Sequence, residues 1–118
     1  MLRAAFAEIA AVLFSFSIAA QADSPAYLPK YVDGNGFYES CRLDATAAVC
    51  IAYVKGASDA FSAASILLNA CLYAPPPNAS ADQLSDILVK YLREHPERRA
   101  LGAASLFLAA MRETFPCP

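Results

Sequence analysis

The sequence lacks the motifs by which most enzymes and nucleic-acid-binding proteins are identified. Its 118 residues contain no tryptophan, one histidine and four glycines. No serine stands in a G-x-S-x-G turn, and no glycine-rich loop is present that would hold a phosphate. Nine Lys and Arg against eleven Asp and Glu leave a net charge of −2, so no basic surface favours nucleic acid. We therefore expect a protein that is not an enzyme, needs no cofactor and does not bind nucleic acid.

A hydrophobic run long enough to cross a membrane is also missing. The apolar stretch from Ile9 to Ala20 has 12 residues, whereas a transmembrane helix needs about 20. It follows Arg3 and ends at Ala20-Gln21-Ala22, which has the small residues of a cleavage site. A transmembrane anchor is the alternative interpretation. We predict a secretory signal peptide over residues 1–22 and an exported domain over residues 23–118.

All four cysteines follow the predicted cleavage site: Cys41, Cys50, Cys71 and Cys117. An even number of cysteines in a short exported chain favours two disulfides. A zinc site is the alternative, but no two of these cysteines have the close C-x2-4-C spacing of a structural zinc site. We therefore predict two disulfides and no metal. Two crosslinks suit a domain whose small core stabilises it only marginally.

Apolar residues recur at three- and four-residue steps, which predicts helices near 36–43, 47–72, 81–94 and 96–115. The fold class that follows is all-α, a small four-helix domain stapled by two disulfides.

Ser80 and Gln83 have the spacing of a capping box at the third helix. Asn78-Ala79-Ser80 also matches a glycosylation acceptor, which is the alternative role of this serine. The predicted apolar stripes contain Val49, Tyr53, Ala57, Ala60, Phe61, Ala64 and Leu68 on the second helix, Leu84, Ile87, Leu88 and Tyr91 on the third, and Leu101, Ala104, Leu108, Met111 and Phe115 on the fourth.

The only histidine, His95, precedes Pro96 and stands beside two carboxylates. A residue before proline is disfavoured in a helix, and proline is favoured at the first position of the next helix. The sequence therefore predicts that His95 is the corner between the third and fourth helices. A general base would need an oriented partner, and the oxidised cysteines leave no Cys-His pair.

Three consecutive prolines predict a stiff loop between the second and third helices. A stiff loop loses little entropy on binding, so it suits insertion into a cleft of a partner. The alternative is a plain connector. The predicted partner-binding residues are Tyr73, Pro75, Pro76, Pro77 and Asn78.

The helices limit how the cysteines can pair. Cys50 and Cys71 lie 21 residues apart on one predicted helix, a separation of about 31 Å, whereas a disulfide needs about 4.4–6.8 Å between its Cα atoms. This excludes Cys50–Cys71 and with it Cys41–Cys117. Of the two remaining patterns, we predict Cys41–Cys50 with Cys71–Cys117, because a short turn separates the first pair and antiparallel helices bring the second together. Cys41–Cys71 with Cys50–Cys117 is the alternative.

Four segments in order resemble the Rap/Tai family of immunity proteins, which protect bacteria from type VI secretion amidases. They are GNGFYESC (34–41), CIAYVKGASDAF (50–61), DQLSDILVKYLREHPERR (82–99) and AASLFLAAMRETFPC (103–117). The cysteine before the Tyr-Val-x-Gly-x-x-Asp-Ala-Phe helix, the His-Pro-Glu corner and the terminal Phe-Pro-Cys carry the resemblance.

The resemblance implies a helical periplasmic protein, often a homodimer, that binds a secreted peptidoglycan amidase and blocks its cleft. Two other functions remain open. The chain could be an envelope binding or structural protein of the same fold without such a partner. It could also be an acid-stress periplasmic chaperone of the HdeA type, in which His95 and the carboxylates would respond to pH.

Overall fold

The computed structural model describes residues 32–118, and these residues contain four α-helices. They are α1 (Gly34–Arg42), α2 (Ala47–Leu68), α3 (Ala81–Glu94) and α4 (Ala103–Thr114). These residues contain no strand, only an isolated antiparallel bridge between Asp33 and Gly102. The predicted all-α fold is confirmed. The predicted signal peptide over 1–22 lies outside the described residues.

The helices pack around one apolar core. Helix α3 contacts both α2 and α4, and α1 packs against all three. Phe107 of α4 is fully buried, with the ring of Phe61 stacked on it at 5.9 Å and the ring of Tyr73 edge-on at 6.0 Å. Aromatic pairs at these distances add to the stability from burial alone. The other buried core residues are Phe37, Cys50, Val54, Leu84, Leu88, Tyr91, Leu92, Ala103, Leu106, Ala110 and Met111.

The start of α3 follows the predicted capping box. The Ser80 hydroxyl accepts a hydrogen bond from the Gln83 backbone N–H at 3.2 Å, and the Gln83 side-chain oxygen accepts one from the Ser80 N–H at 2.9 Å. These bonds satisfy donors that the first helical turn leaves free. Three of the apolar residues predicted for this helix, Leu84, Leu88 and Tyr91, are buried. The local sequence therefore specifies both the start and the inner face of α3.

Helix α2 ends at Leu68, four residues earlier than predicted. Asn69 takes a left-handed conformation with φ 48°, and the N–H of Ala70 donates to the Ser65 carbonyl at 3.1 Å. Asparagine tolerates this conformation better than most residues, which explains why the helix stops there.

The apolar stripe predicted for α2 is partly wrong. The buried residues are Cys50 and Val54, neither of which is in the predicted stripe, whereas its members Val49, Ala60 and Leu68 are exposed. Apolar residues surround this helix on all sides, so its periodicity does not identify the face that contacts the core.

Helix α4 begins at Ala103, so the prediction that it begins at Pro96 is wrong. Residues Pro96–Arg98 form a single 3-10 turn instead. Beyond it, the Ala103 N–H donates to the Val32 carbonyl at 2.8 Å, and the Leu101 carbonyl accepts from the Gly34 N–H at 2.9 Å. These bonds to the start of the described chain hold residues 101–103 in a conformation that a continuous helix could not adopt.

The late start also changes the inner face of α4. Leu101 and Ala104 of the predicted stripe are exposed, and Leu108 and Phe115 are half-buried. Met111 is the member that is fully buried. The predicted stripe is therefore wrong at its first two positions.

Gly34 allows the start of α1 to lie against the segment that precedes α4. A Cβ placed on Gly34 would lie 2.5 Å from Leu106 Cδ1 and 2.9 Å from Arg99 Cα. No larger residue fits there without a shift of the backbone. The N-cap of this helix is Asp33, whose carboxylate accepts from the Gly36 N–H at 2.8 Å.

Both predicted disulfides are confirmed. Cys41–Cys50 joins the end of α1 to the first turn of α2, with Cα atoms 5.3 Å apart. Cys71–Cys117 joins the segment after α2 to the segment after α4, with Cα atoms 6.0 Å apart. The antiparallel course of the helices brings the second pair together, as the pairing argument assumes.

Candidate functional site

The contacts of His95 join the end of α3 to the 3-10 turn that follows it. The His95 N–H donates to the Tyr91 carbonyl at 3.0 Å and closes the last turn of α3. The imidazole lies against the Tyr91 ring at 4.4 Å, and its Nδ1 lies 3.2 Å from the Glu97 carboxylate. Hydrogen bonding to its own backbone N–H, and then to His95, lowers the pKa of the exposed Glu97. Each of these contacts stabilises the corner, as predicted for His95.

The two arginines after the corner are also used within the fold. Arg98 donates to the Tyr91 hydroxyl. Arg99 Nε donates to the Leu92 carbonyl at 2.6 Å, and its guanidinium lies 4.0 Å from the centre of the Tyr38 ring. These contacts fix the segment after α3 against α3 and α1. Over residues 32–118, no group of three or more His, Cys, Asp and Glu side chains is arranged to hold a metal ion.

The predicted partner-binding residues do not share one environment. Pro75, Pro76, Pro77 and Asn78 are exposed and lie together beside the first turn of α3. Tyr73 is half-buried instead, because its ring packs on Phe107. The structure therefore places four of the five residues on the surface and gives Tyr73 a role in the core.

The loop that carries these residues is fixed at several points. The Ala74 N–H donates to the Phe115 carbonyl at 2.9 Å, and the Ala79 N–H donates to the Pro76 carbonyl at 3.0 Å. The Cys71–Cys117 disulfide ties the start of the loop to the end of the chain. The loop is thus a rigid surface feature.

An exposed apolar surface, which the sequence analysis did not predict, lies at the end of α2. Ile66, Leu67 and Leu68 are 80%, 84% and 67% exposed. Gly56, in the middle of the same helix, has no other part of the described chain within 4 Å of where its Cβ would be. The even spread of apolar residues around α2 could have indicated this surface, because the predicted stripe accounted for only one face of the helix.

A groove lies between the proline loop, α3 and the end of α4, and we call it the Phe115 groove. Its volume is about 410 Å³, and it is lined by Pro76, Ala79, Gln83, Asp86, Ile87 and Phe115. No local motif indicates this groove, because its walls come from three separate parts of the chain.

These features define a class of protein. The described chain is a small helical domain with two disulfides, a rigid loop and exposed apolar surfaces, and such features are typical of proteins that act by binding others. Within residues 32–118, no helix is both long and apolar enough to cross a membrane.

The family comparison identifies the chain within this class. A family model described as Rap1a immunity proteins matches residues 33–117, and the chain belongs to this family. The matched span contains all four helices and both disulfides. Comparisons with curated proteins and with solved structures gave no match. The resemblance inferred from the sequence is thus confirmed, and membership implies an immunity function in which the protein binds a secreted effector as a non-enzymatic inhibitor.

Proposed function

We propose that this protein is a periplasmic immunity protein that binds and inhibits a type VI secretion peptidoglycan amidase. The observation that carries the proposal is the family match over residues 33–117. The Rap/Tai resemblance of the four ordered segments supports an amidase as the effector. The signal-peptide pattern over residues 1–22 supports the periplasm, the compartment in which such an amidase meets peptidoglycan.

This domain can inhibit an amidase by covering its cleft and does not need to catalyse a reaction. A protein that covers the cleft of an amidase keeps peptidoglycan out of it, and no bond has to be made or broken. Tight binding is favoured when the binding surface is rigid before the encounter, because little conformational entropy is then lost. The two disulfides and the hydrogen bonds that fix the proline loop supply that rigidity.

Within this proposal, the exposed residues Pro75–Asn78 enter or border the amidase cleft. Deleting Pro76 and Pro77 is the direct test of the loop. A loss of affinity for the amidase is expected, because the shortened loop can no longer protrude. An unchanged affinity would mean that the loop is a connector only.

We also propose that two copies of the chain associate through the exposed face of α2. This face carries Ile66 and Leu67 at one end and Ala48 at the other, with Lys55 and Asp59 on either side of its middle. In an antiparallel pair about a two-fold axis, each contact occurs twice. Lys55 would then lie near Asp59 of the second copy, and the two apolar ends would lie near alanines.

The size of this face suits a dimer contact. A helix of 22 residues is about 33 Å long, and covering the exposed Ile66 and Leu67 would remove apolar surface from water, which is favourable. Sedimentation of the purified protein measures the association. We expect a dimer that becomes a monomer when Leu67 is changed to Glu, whereas Ala104→Glu, on the exposed face of α4, serves as the matched control and should stay dimeric.

The test of the main proposal is binding and inhibition. The exported protein is titrated against type VI secretion amidases encoded in the genome of its source organism, and peptidoglycan cleavage is followed. We expect affinity of about micromolar or tighter, with loss of cleavage in proportion to complex formed. The absence of binding to every such amidase would overturn the proposal. Suppression of the aggregation of unfolded proteins only at low pH would instead favour the chaperone function.

A further inference from the structure

The Phe115 groove is large enough to receive an apolar side chain, and most of the residues that line it are apolar. Its volume of about 410 Å³ falls within the range of about 300–1,000 Å³ that is usual for binding pockets. Pro76, Ala79, Ile87 and Phe115 give it apolar walls, and the last three are half-buried. An apolar group that enters the groove would therefore be removed from water on several sides, which is favourable.

The walls of the groove are held in place before anything binds. Phe115 belongs to the segment tied down by the Cys71–Cys117 disulfide, and its carbonyl accepts from the Ala74 N–H at 2.9 Å. The Gln83 side chain is held by its bond to the Ser80 N–H at 2.9 Å. Since these groups are already ordered, a ligand that enters the groove loses little free energy in ordering them.

The polar edge of the groove is acidic. Asp86 lines it, and Asp82 lies one helical turn earlier on the same face of α3. Within residues 32–118, neither carboxylate has an ion-pair partner, whereas the nearby Lys90 lies 3.8 Å from Glu94. Two like charges at this spacing repel each other weakly on a helix. A cation from a partner would relieve this repulsion and complement the charge of the groove.

We propose that the Phe115 groove binds an apolar side chain of the effector that stands next to a lysine or arginine. The apolar side chain fills the space between Pro76 and Phe115, and the neighbouring cation pairs with Asp86. This inference rests on the proposed function, because the ligand is a segment of the secreted effector. It deepens that proposal by assigning both the surface and the chemistry of the segment it recognises.

The first test uses short peptides and does not require the effector. One probe carries Phe followed by Arg between glycines and serines, and its matched control carries Phe followed by Glu. Both are titrated into the isotope-labelled protein, and the NMR shifts of Ala79, Gln83 and Ile87 are followed. We expect the Phe-Arg peptide to shift these residues and to bind about two- to five-fold more tightly than the control, as an exposed ion pair allows.

Two charge-reversal variants test whether the Asp86 carboxylate accounts for the preference for the Phe-Arg peptide. Asp86→Lys should abolish the preference for the Phe-Arg peptide, whereas Asp44→Lys, the same change on an exposed carboxylate between α1 and α2, should preserve it. Equal binding of both peptides, shifts confined to other residues, or no binding of either peptide would overturn the assignment of the groove. Shifts of the groove residues that depend on protein concentration alone would mean that a second copy occupies it, which also refutes the proposal.

A second arm uses the amidase itself and distinguishes the two proposals. If an amidase binds the unmodified protein and Asp86→Lys weakens the complex several-fold while Asp44→Lys does not, the groove contacts the effector. If the amidase binds all three proteins equally, the immunity proposal stands and the groove assignment fails. If the Phe-Arg peptide binds but no amidase does, the immunity proposal fails. The groove would then recognise this pair of side chains in another partner, and its assignment to an effector would be wrong.

Discussion

Removing the Cys71–Cys117 disulfide should destabilise the protein more than removing Cys41–Cys50. The two bonds close loops of very different length, with sequence separations of 46 and 9 residues. A crosslink stabilises the folded state mainly by restricting the unfolded chain, and the restriction grows with the logarithm of the loop length. On that relation the longer loop contributes about 4.0 kcal/mol and the shorter about 2.6 kcal/mol, a difference of about 1.4 kcal/mol.

Two double variants test this difference. Cys71→Ser/Cys117→Ser replaces exposed sulfurs by hydroxyls that water can solvate. In Cys41→Ser/Cys50→Ser, the new hydroxyl at buried position 50 takes the place of the sulfur that lies 3.0 Å from the buried Ser85 hydroxyl, so that both hydroxyls have a hydrogen-bond partner. The free energy of unfolding is measured by urea denaturation followed by far-ultraviolet circular dichroism. A loss from the short loop that equals or exceeds the loss from the long loop would refute the reasoning from the unfolded chain.

Three further comparisons test the packing and the corner. Gly34→Ala should destabilise the fold by about 1–3 kcal/mol because its Cβ would overlap Leu106 and Arg99. Gly56→Ala should instead stabilise α2 of the monomer by up to about 1 kcal/mol, because its Cβ meets no described neighbour. Thermal unfolding measures both changes. Phe107→Ala should cost about 3–5 kcal/mol because the side chain is buried. Leu43→Ala should cost less than about 1 kcal/mol because that side chain is exposed and lies outside the proposed dimer face. Equal losses in urea denaturation would contradict the core assignment. The folded-state pKa of Glu97 is lowered, so the stability that its carboxylate contributes is present above the ordinary pKa and is lost as pH falls through the lowered pKa. Glu97→Gln should therefore reduce the loss of stability between neutral pH and pH of about 3. An unchanged dependence of stability on pH would show that the Glu97 contacts do not stabilise the fold.

Local signals predicted several elements of the fold correctly. The capping box at Ser80 and the apolar face of α3 both depend on residues within one or two helical turns, so the sequence alone specifies them. The corner at His95 follows from the backbone restriction that Pro96 imposes on its predecessor. Helix length excluded only a Cys50–Cys71 pair. The choice between the two remaining patterns rested on an assumed antiparallel course of the helices, and the structure confirms the predicted pairs.

Of the candidate site, the sequence indicated the stiffness of the proline loop but not its surroundings. Three consecutive prolines restrict the backbone whatever lies around them. Whether Tyr73 points outward or into the core depends on Phe107, which lies 34 residues further along the chain (107 − 73). The inward position of Tyr73 is therefore a result of tertiary packing.

The sequence by itself determined the helical class and the corner at His95, because these depend on local apolar patterning and on backbone restrictions. Only the tertiary structure decided where α4 begins, which side of α2 is exposed and where the Phe115 groove lies. The Val32 carbonyl accepts a hydrogen bond from the Ala103 N–H, 71 residues later in the chain, and this contact prevents α4 from extending back to Pro96. An apolar sequence on every side of α2 carries no periodic signal for one face. The physical reason is that these features depend on contacts between residues far apart in the chain, and the local sequence does not specify which distant residues come into contact.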